Sequence, residues 1–531
     1  MLAKIPSYAL IGLYTYPVVV EVDVSKGLPV FNMVGLPEVA VRESKERVKT
    51  AITNSGYAFP YDRITVNLSP ADIKKEGTGF DLPIAIGLLA ATNRIPLDKV
   101  QAYLIMGELS LDGYIKPVKG VLPMAIAARN AGYQGIIVPE ENAREASVAK
   151  PISVIPVQTL SQVIDFLRGD INLASCSFDH DADEIDHVGY RVDFSDISGQ
   201  EHAKRALEIA AAGGHNVIMT GPPGSGKTML ARALPSILPP MTFEESIETT
   251  IVYSVAGLLQ KNQALVRQRP FRAPHHTISD AGLIGGGRQP KPGEVSLAHN
   301  GVLFLDELTE FKRTVLEVLR QPLEDQSVTI SRAMASVTYP AKIVLIAAMN
   351  PCPCGYLGDP KHTCTCSAIQ VQKYRAKISG PLLDRMDIYL DVPAVPYRDL
   401  MNTSGKETSD LIRERVIASR HIQSKRFAKT TIYCNSQMST RHIKAYCQIT
   451  PDITRLLEQA MEKLGFSARA FNRVLKLART IADLDHSVNI TEAHIFEAIQ
   501  YKTMDRGSDT ISNIIKDNQE SYEESTMYFS D

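Results

Sequence analysis

The stretch HNVIMTGPPGSGKTMLARALPSIL, residues 215–238, decides how the rest of the chain is interpreted. A strand-like segment leads into GPPGSGKT, residues 221–228, and a helical pattern follows directly. Glycine-rich loops between a strand and a helix aim backbone N–H groups at phosphates, and the helix N-terminus adds positive partial charge. The sequence therefore predicts a phosphate-binding loop (the P-loop) made of Gly221, Pro222, Pro223, Gly224, Ser225, Gly226, Lys227 and Thr228.

A second apolar segment, GVLFLDEL at residues 301–308, carries two acidic residues near its end. In P-loop proteins the loop lysine reaches the β- and γ-phosphates, while the loop Ser/Thr and an aspartate hold Mg²⁺. We therefore expect Lys227 to contact the phosphates, and Thr228 and Asp306 to bind Mg²⁺. Glu307 is then placed to polarise the attacking water.

A third apolar segment, IVLIAAMN at residues 343–350, delivers Asn350 to the region of the γ-phosphate. An amide at that place can orient water without adding charge. Between about residues 190 and 395 apolar strands alternate with helical segments, which is typical of a doubly wound α/β sheet. Together the three segments predict an ATP hydrolase that uses Mg²⁺.

The bulk composition indicates several globular domains. The 531 residues are 44% hydrophobic and 22% charged, with a net charge of −2. Such a charge neither favours nor excludes nucleic acid, so DNA binding requires local basic patches or a pore lined by several subunits. We find no convincing signal peptide, and the longest later apolar run, 82–91, is too short to span a membrane. We therefore expect a cytoplasmic protein without a membrane partner, whose seven cysteines are thiols or metal ligands.

Shifts in composition divide the chain into five predicted parts. Residues 168–189 are acidic and lack periodicity, and the last residues are polar and rich in serine, as in disordered tails. The predicted parts are a mixed α/β domain at 1–167, an acidic linker at 168–189, an ATPase core at 190–398, a helical region at 399–505 and a tail at 506–531.

Four further segments carry a family resemblance: PFRAPHHT (270–277), GGGRQPKPGEVSLAHNGVLFLDE (285–307), AAMNPCPCG (347–355) and SGPLLDRMDI (379–388). They resemble the magnesium-chelatase-like branch of the AAA+ ATPases, and over residues 1 to about 502 the chain is similar to the ComM (YifB) family. The resemblance implies an AAA+ P-loop core followed by a C-terminal helical lid. It also implies assembly into a hexameric ring.

The resemblance assigns roles to arginines that spacing alone leaves open. Arg385, in LLDRMD, would be an arginine finger that reaches the ATP of a neighbouring subunit. Arg469 would be the sensor 2 arginine of the lid, with Arg473, one helical turn later, as the competing candidate. A plain surface ion pair remains the alternative for Arg385. The histidine pair 275–276 is interpreted as structural.

The N-terminal domain is similar to the peptidase domain of Lon proteases (S5 type) over residues 107–142. That peptidase needs a nucleophilic serine and an activating lysine. Alignment places Gly79 where the serine belongs and Leu122 where the lysine belongs, while Lys116 and Lys119 are out of register. We therefore expect a binding or assembly module rather than a peptidase.

Two segments are candidates for contact with DNA. In the family that the chain resembles, an insertion at the position of residues 281–298 points into the central pore, and residues 328–342 alternate like a hairpin. Arg288, Lys291 and Arg332 would supply positive charges to a DNA strand threaded through the ring. Six copies of the chain would multiply the small charge that each one contributes. Ordinary surface hairpins remain the alternative.

The resemblance also implies a function, a helicase that promotes DNA branch migration during recombination and natural transformation. Two alternatives remain open: an ATP-driven remodeller of a protein partner, like the motor subunit of magnesium chelatase, and an ATP-dependent scaffold. The chelatase motor shares the ATPase core but normally lacks a Lon-like domain, so we rank it second. Stimulation of ATP hydrolysis by DNA separates the first function from the others.

Four of the seven cysteines lie within NPCPCGYLGDPKHTCTCSA, residues 350–368. Four thiolates can complete a tetrahedral Zn²⁺ site, and His362 could replace one of them. Free structural thiols or a redox sensor are the alternatives, because C-x-C pairs indicate zinc less strongly than C-x-x-C pairs. The sequence thus predicts a possible zinc-binding insertion at 350–367, with Cys352, Cys354, Cys364 and Cys366 as ligands.

Overall fold

A computed structural model describes residues 1–178, 192–287, 290–332, 335–396, 406–430, 432–464 and 467–502. Arg288, residues 179–189 of the predicted linker and the predicted tail lie outside the described residues, as does the side chain of Arg332. None of the helices within the described ranges is long and apolar enough to cross a membrane.

The N-terminal module, residues 2–168, begins with a four-stranded sheet in the order β1-β2-β4-β3. Strands β1, β2 and β4 pair antiparallel, and β3 pairs parallel to β4. Every residue of helix α3 is buried against this sheet, because DLPIAIGLLAA has no polar face after its first residue. The elements are β1 Leu2–Ile11, β2 Tyr14–Ser25, β3 Val30–Val34, α1 Val39–Arg42, α2 Ser44–Asn54, β4 Arg63–Ser69 and α3 Asp81–Ala91.

A second, three-stranded parallel sheet completes the N-terminal module in the order β5-β8-β9. Helix α7 begins with a capping box in which Thr159 and Gln162 satisfy each other's backbone N–H groups. The elements are α4 Leu97–Gln101, β5 Tyr103–Ile105, β6 Glu108–Leu109, β7 Ile115–Lys116, α5 Val121–Asn130, β8 Gly135–Pro139, α6 Glu140–Ser147, β9 Ser153–Val157 and α7 Leu160–Arg168.

The central module, residues 194–391, contains a five-stranded sheet in the order β11-β14-β17-β10-β18. All its strand pairs are parallel, so their carboxyl ends meet at one edge. Strand β14 is buried at every position, as expected for a strand covered on both faces. The predicted α/β class is confirmed. The main elements are α8 Glu201–Gly213, β10 Val217–Thr220, α9 Lys227–Ile237, α10 Phe243–Ala256, β11 Phe271–Arg272, β14 Gly301–Leu305, β17 Ile343–Met349 and β18 Ile388–Asp391.

Short helices and two hairpins are inserted between these strands. The hairpins are β12–β13 and β15–β16, both antiparallel. The inserted elements are α11 Asp280–Ile284, β12 Gly285–Gly286, β13 Lys291–Pro292, α12 Glu294–Leu297, α13 Arg313–Glu317, α14 Arg320–Asp325, β15 Ser327–Arg332, β16 Ala335–Pro340, α15 Ala368–Arg375 and α16 Gly380–Leu383. Short 3₁₀ helices lie at Phe194–Asp196, Leu308–Glu310 and Asn435–Gln437.

The C-terminal module, residues 409–500, is helical and shares one hydrophobic cluster with the central sheet. A buried carboxylate, Asp483, accepts hydrogen bonds from Arg426 and Arg479, so one negative charge is paired with two helix-borne positive charges inside the module. The helices are α17 Ser409–Arg426, α18 Thr440–Tyr446, α19 Pro451–Leu464, α20 Ala468–Leu484 and α21 Glu492–Gln500.

The N-terminal module is docked on the central module at two places. At the first, α5 packs against α10, and Ser254 Oγ donates a 2.7 Å hydrogen bond to the buried carboxylate of Glu145. At the second, the β1–β2 turn meets the β15–β16 hairpin, where a side chain at Gly12 would collide with Val337. The central hairpin is therefore in direct contact with the N-terminal module.

Candidate active site

The P-loop lies at the carboxyl edge of the central sheet, directly after β10. Gly224 and Gly226 have φ angles of +77° and +93°, a left-handed conformation that favours glycine. Gly226 caps α9, which starts at Lys227, so the positive end of the helix dipole faces the loop. The loop therefore has the backbone shape and the field that suit a phosphate chain.

Lys227 lies inside the loop and is largely buried. Its Nζ donates hydrogen bonds to the carbonyl oxygens of Gly221 at 2.7 Å and Pro222 at 2.8 Å. The same nitrogen lies 3.4 Å from Asn350 Oδ1, so the ends of β10 and β17 meet at this ammonium. Burial lowers the pKa of Lys227, and the charge of Asp306 opposes that shift.

Thr228 and Asp306 are brought together by the neighbouring ends of α9 and β14. Thr228 Oγ1 donates a 2.8 Å hydrogen bond to Asp306 Oδ2. A hydroxyl and a carboxylate are the hard oxygen donors that Mg²⁺ prefers, and Mg²⁺ usually keeps water and phosphate as its other ligands. The two side chains therefore fit a Mg²⁺ ion bound together with a nucleotide.

Glu307 follows Asp306 with a left-handed φ of +53°, which is uncommon for a residue other than glycine. Its Oε2 lies 3.1 Å from His276 Nδ1, and its side chain is 58% exposed. The His276 ring packs at a tilt against His275 and forms a T-shaped pair with Phe311. The sequence analysis treated both histidines as structural, so it missed the contact between His276 and Glu307.

Arg385 lies at the opposite, amino edge of the same sheet. Its own carbonyl accepts a hydrogen bond from Asn216, which precedes β10, and Arg385 itself precedes β18. Its guanidinium donates to the Pro381 carbonyl at 2.7 Å and pairs with Glu324. Its Nε is buried without a hydrogen-bond partner among the described residues.

A polar cavity of about 90 Å³ adjoins Arg385 and collects further charges at this edge. Asp387, Arg473 and Lys476 line the cavity. Arg473 Nη1 donates a 2.6 Å hydrogen bond to Asp387. Burial alone would raise the pKa of Asp387, but Arg473, His215 and Lys502 hold it well below its usual range. Arg473 is thus committed to an ion pair beside Arg385.

Arg469, the other sensor 2 candidate, precedes Arg473 by one turn of α20. Its side chain is exposed, and no hydrogen bond or ion pair joins it to a described residue. Arg473 is therefore placed near the amino edge of the sheet by its bond to Asp387, and Arg469 precedes it by one helical turn.

The two candidate DNA-contacting hairpins lie side by side. Tyr339 Oη in β16 donates a 2.7 Å hydrogen bond to the Pro290 carbonyl, beside β13. One face of β15–β16 is buried, and the other carries exposed hydroxyl side chains. Lys291 is exposed on β13. The structure thus joins the two segments into one surface.

The four clustered cysteines converge directly after β17. The Sγ atoms of Cys352, Cys354 and Cys364 lie 3.3, 3.7 and 3.6 Å apart pairwise. With Cys366, all four sulfur atoms lie within 4.8 Å of one another. None of the four is in a disulfide. This arrangement could hold a metal ion.

The positions aligned with the Lon dyad are a partly buried glycine and a fully buried leucine of the N-terminal module. A side chain at Gly79 would contact Val118, and Leu122 is fully buried at the start of α5. Lys119 extends toward the central module, where a side chain at Gly257 would collide with it. Lys116 is exposed on β7. Lys119 therefore contributes to domain docking.

Comparisons with known families match most of the chain. The family described as "Magnesium chelatase, subunit ChlI" matches residues 193–400, "Subunit ChlI of Mg-chelatase" matches 20–142, and "Magnesium chelatase, subunit ChlI C-terminal" matches 406–502. The chain is thus similar to this subunit in all three modules.

Individual proteins extend the similarity over nearly the full length. The competence protein ComM of Haemophilus influenzae is 45% identical over 97% of this chain and 100% of its own length. YifB of Salmonella typhimurium is 43% identical over 95% of this chain and 98% of its own length. Lon protease 2 of Bacillus subtilis is 33% identical over 125 residues, 23% of this chain and 22% of its own length.

Proposed function

The chain belongs to the ComM and YifB family of magnesium-chelatase-like AAA+ ATPases, and we propose that it is a ring-shaped, ATP-hydrolysing motor that acts on DNA. In this proposal the motor is a helicase that promotes branch migration during recombination and natural transformation. The competence protein ComM, which the chain matches over all of that protein's length, supports this choice.

ATP hydrolysis follows from the residues at the carboxyl edge. Lys227 and the P-loop backbone bind the phosphates, and Thr228 and Asp306 hold Mg²⁺, which neutralises charge on the phosphate oxygens. Glu307 accepts the proton of the attacking water, and Asn350 orients that water. The 3.4 Å approach of Lys227 to Asn350 supports this arrangement.

One observation supports assembly into a ring: Arg385 and the P-loop lie at opposite edges of one parallel sheet. Strand β10, four residues long, spans about 13 Å between those edges. Arg385 therefore acts on ATP bound by a neighbouring subunit, as the arginine finger of a ring, which we take to be a hexamer. Arg473 is bound to Asp387, so this proposal assigns the sensor 2 role to Arg469, which would act at the ATP site of the neighbouring subunit.

The DNA path is assigned to the surface formed by the two adjacent hairpins. Lys291 is exposed there, and Arg288 and Arg332 belong to the same two segments. Six copies around a pore would give a ring of cations that binds the phosphate backbone without reading its sequence. The contact of Gly12 with Val337 then links the N-terminal module to the same path.

The test is steady-state ATP hydrolysis with no DNA, with single-stranded DNA and with a four-way junction. Glu307→Gln removes the proposed base, and Glu310→Gln, an exposed carboxylate in the following 3₁₀ helix, is the matched control. We expect DNA to stimulate hydrolysis in the wild type and in Glu310→Gln, and we expect no hydrolysis in Glu307→Gln. Lys291→Ala should weaken the stimulation, whereas Lys26→Ala, exposed on the N-terminal module, should not.

A second candidate is an ATP-driven remodeller of a protein partner, similar to a magnesium chelatase motor subunit. The family match over residues 193–400 favours it, because that match is to a chelatase subunit. Hydrolysis that is indifferent to every DNA but rises with a protein partner would identify this function and contradict the DNA motor.

A further inference from the structure

We propose that Cys352, Cys354, Cys364 and Cys366 bind one structural Zn²⁺ ion as a tetrathiolate site, and that this site braces the P-loop. The metal site goes beyond the proposed function and does not depend on it. The bracing role rests on the proposed ATP site, so it is tested by a separate measurement.

The sulfur positions match a tetrahedron of the size that zinc requires. With Zn–S bonds of about 2.3 Å, the edges of a tetrahedral site are about 3.8 Å long. The three separations among Cys352, Cys354 and Cys364 are 3.3–3.7 Å, and Cys366 completes a set within 4.8 Å. Disulfide sulfurs lie about 2.05 Å apart, so these are four separate thiol groups gathered around one point.

The backbone of the first C-x-C arm is folded into a tight turn. Gly355, with φ +86°, closes the first C-x-C arm by donating its N–H to the Cys352 carbonyl at 3.0 Å. This turn presents the sulfur atoms of Cys352 and Cys354 3.3 Å apart.

The neighbouring histidine is directed elsewhere, which leaves the four cysteines as the ligand set. The side chain of His362 is 60% exposed, and its Nδ1 lies 3.5 Å from Asp359 Oδ2. Its ring also packs on Tyr356, with centroids 4.7 Å apart.

The cysteine site lies directly against the ATP site. A Cβ added to Gly355 would lie 2.8 Å from Pro223 Cδ in the P-loop and 4.0 Å from Asn350 Cγ. Cys352 is fully buried two residues after Asn350. A metal ion that cross-links the two C-x-C arms therefore fixes the surface that contacts the P-loop and Asn350. Loss of the ion would loosen both.

The first experiment measures metal in the full-length protein, purified with a thiol reductant and without added zinc. Elemental analysis should find about one Zn²⁺ per chain. A Cys364→Ser/Cys366→Ser double variant should lose it, and Cys176→Ser, which removes a half-buried cysteine outside the cluster, should keep it. Protein produced with Co²⁺ should show the ligand-field and thiolate-to-metal charge-transfer absorption of a tetrahedral tetrathiolate, which needs no variant.

Folded protein without zinc and without this Co²⁺ spectrum would overturn the site, and so would full zinc content in the double variant.

For the bracing role, zinc is released from the wild type with a thiol-directed mercurial and chelator, then restored with reductant and Zn²⁺. We expect a reversible rise of several-fold in the KM for ATP with unchanged circular dichroism. An unchanged KM would leave the metal site standing and refute the bracing. Because metal content is read without ATP or DNA, failure of the motor proposal would not affect this result.

Discussion

His276 Nδ1 lies 3.1 Å from Glu307 Oε2, so the carboxylate assigned to activate water is paired with an imidazole from the segment after β11. We expect this pair to restrain Glu307, because a carboxylate held by a ring nitrogen is less available to water. His276→Ala should then raise ATP hydrolysis measured without DNA and reduce the factor by which DNA stimulates it. An exposed pair of this kind is worth about 0.2–1 kcal/mol, which limits the rise to roughly fivefold.

The matched control is His275→Ala, because His275 bonds to Thr277 rather than to Glu307. His276→Asn, which can keep a nitrogen near the position of Nδ1, should restore wild-type behaviour. A drop in kcat for His276→Ala alone would show the opposite role, in which the imidazole assists Glu307.

The hydrogen bond between Thr228 and Asp306 predicts how hydrolysis depends on Mg²⁺. Asp306→Asn keeps the size of the side chain but removes a charge that attracts the cation. We expect a large loss of hydrolysis and a higher Mg²⁺ concentration for half-maximal rate. The measurement is a Mg²⁺ titration at fixed ATP, with the exposed Asp325→Asn at the end of α14 as the control. An unchanged Mg²⁺ requirement would remove Asp306 from the ion's surroundings.

The placement of Arg385 away from its own P-loop predicts complementation between two inactive variants. Arg385→Ala should lower hydrolysis by about 10³-fold or more, the usual scale for an arginine finger. Lys227→Ala should abolish ATP binding at its own site. In mixed rings, a P-loop from the Arg385 variant meets an intact Arg385 from the Lys227 variant, so activity should reappear on mixing.

Arg320→Ala, a half-exposed arginine on α14 that pairs with Glu317, is the control for losing a positive charge near this face. Activity that stays absent at every mixing ratio, in samples shown by light scattering to contain mixed oligomers, would contradict action between subunits.

The sequence predicted which residues would meet at the carboxyl edge, because each part is a local pattern. A buried strand followed by a polar residue identifies Asp306 and Asn350, and parallel strands bring such ends together whatever the intervening chain does. The contact between His276 and Glu307 has no such pattern. It depends on β11, a strand of two residues that pairs with β14, and a pair so short leaves no periodicity in the sequence.

The lid arginines and the clustered cysteines make contacts that their spacing in the sequence does not predict. The sequence named Arg469 as sensor 2 and kept Arg473 as the competing candidate, but it could not show that Arg473 is bound to Asp387 by a 2.6 Å hydrogen bond. The C-x-C spacing could not show that the two arms converge, nor that Gly355 rests on Pro223, since those residues are more than a hundred positions apart. Only the packed sheet supplies that proximity.

The buried carboxylate of Glu145 predicts a pH-dependent stability of the docked modules. Burial raises the pKa of Glu145, although hydrogen bonds from Ser254 and Asn142 oppose the shift. The folded state therefore holds this proton more tightly than the unfolded state does. As the pH rises from the ordinary glutamate pKa through the raised value, the wild type must lose free energy of unfolding. Glu145→Gln, which has no proton to lose, should escape that penalty.

We therefore expect the difference in Tm between Glu145→Gln and the wild type to grow in favour of the variant from pH 5 to pH 8. Glu141→Gln, which removes a carboxylate paired with Lys261 at the surface, should show no such trend. The measurement is thermal unfolding at both pH values in the same ionic strength. A Tm difference that is constant with pH would mean that Glu145 keeps its charge on docking. Its hydrogen bond to Ser254 would then join the modules as a charged contact, and removing that charge would weaken the docking at every pH.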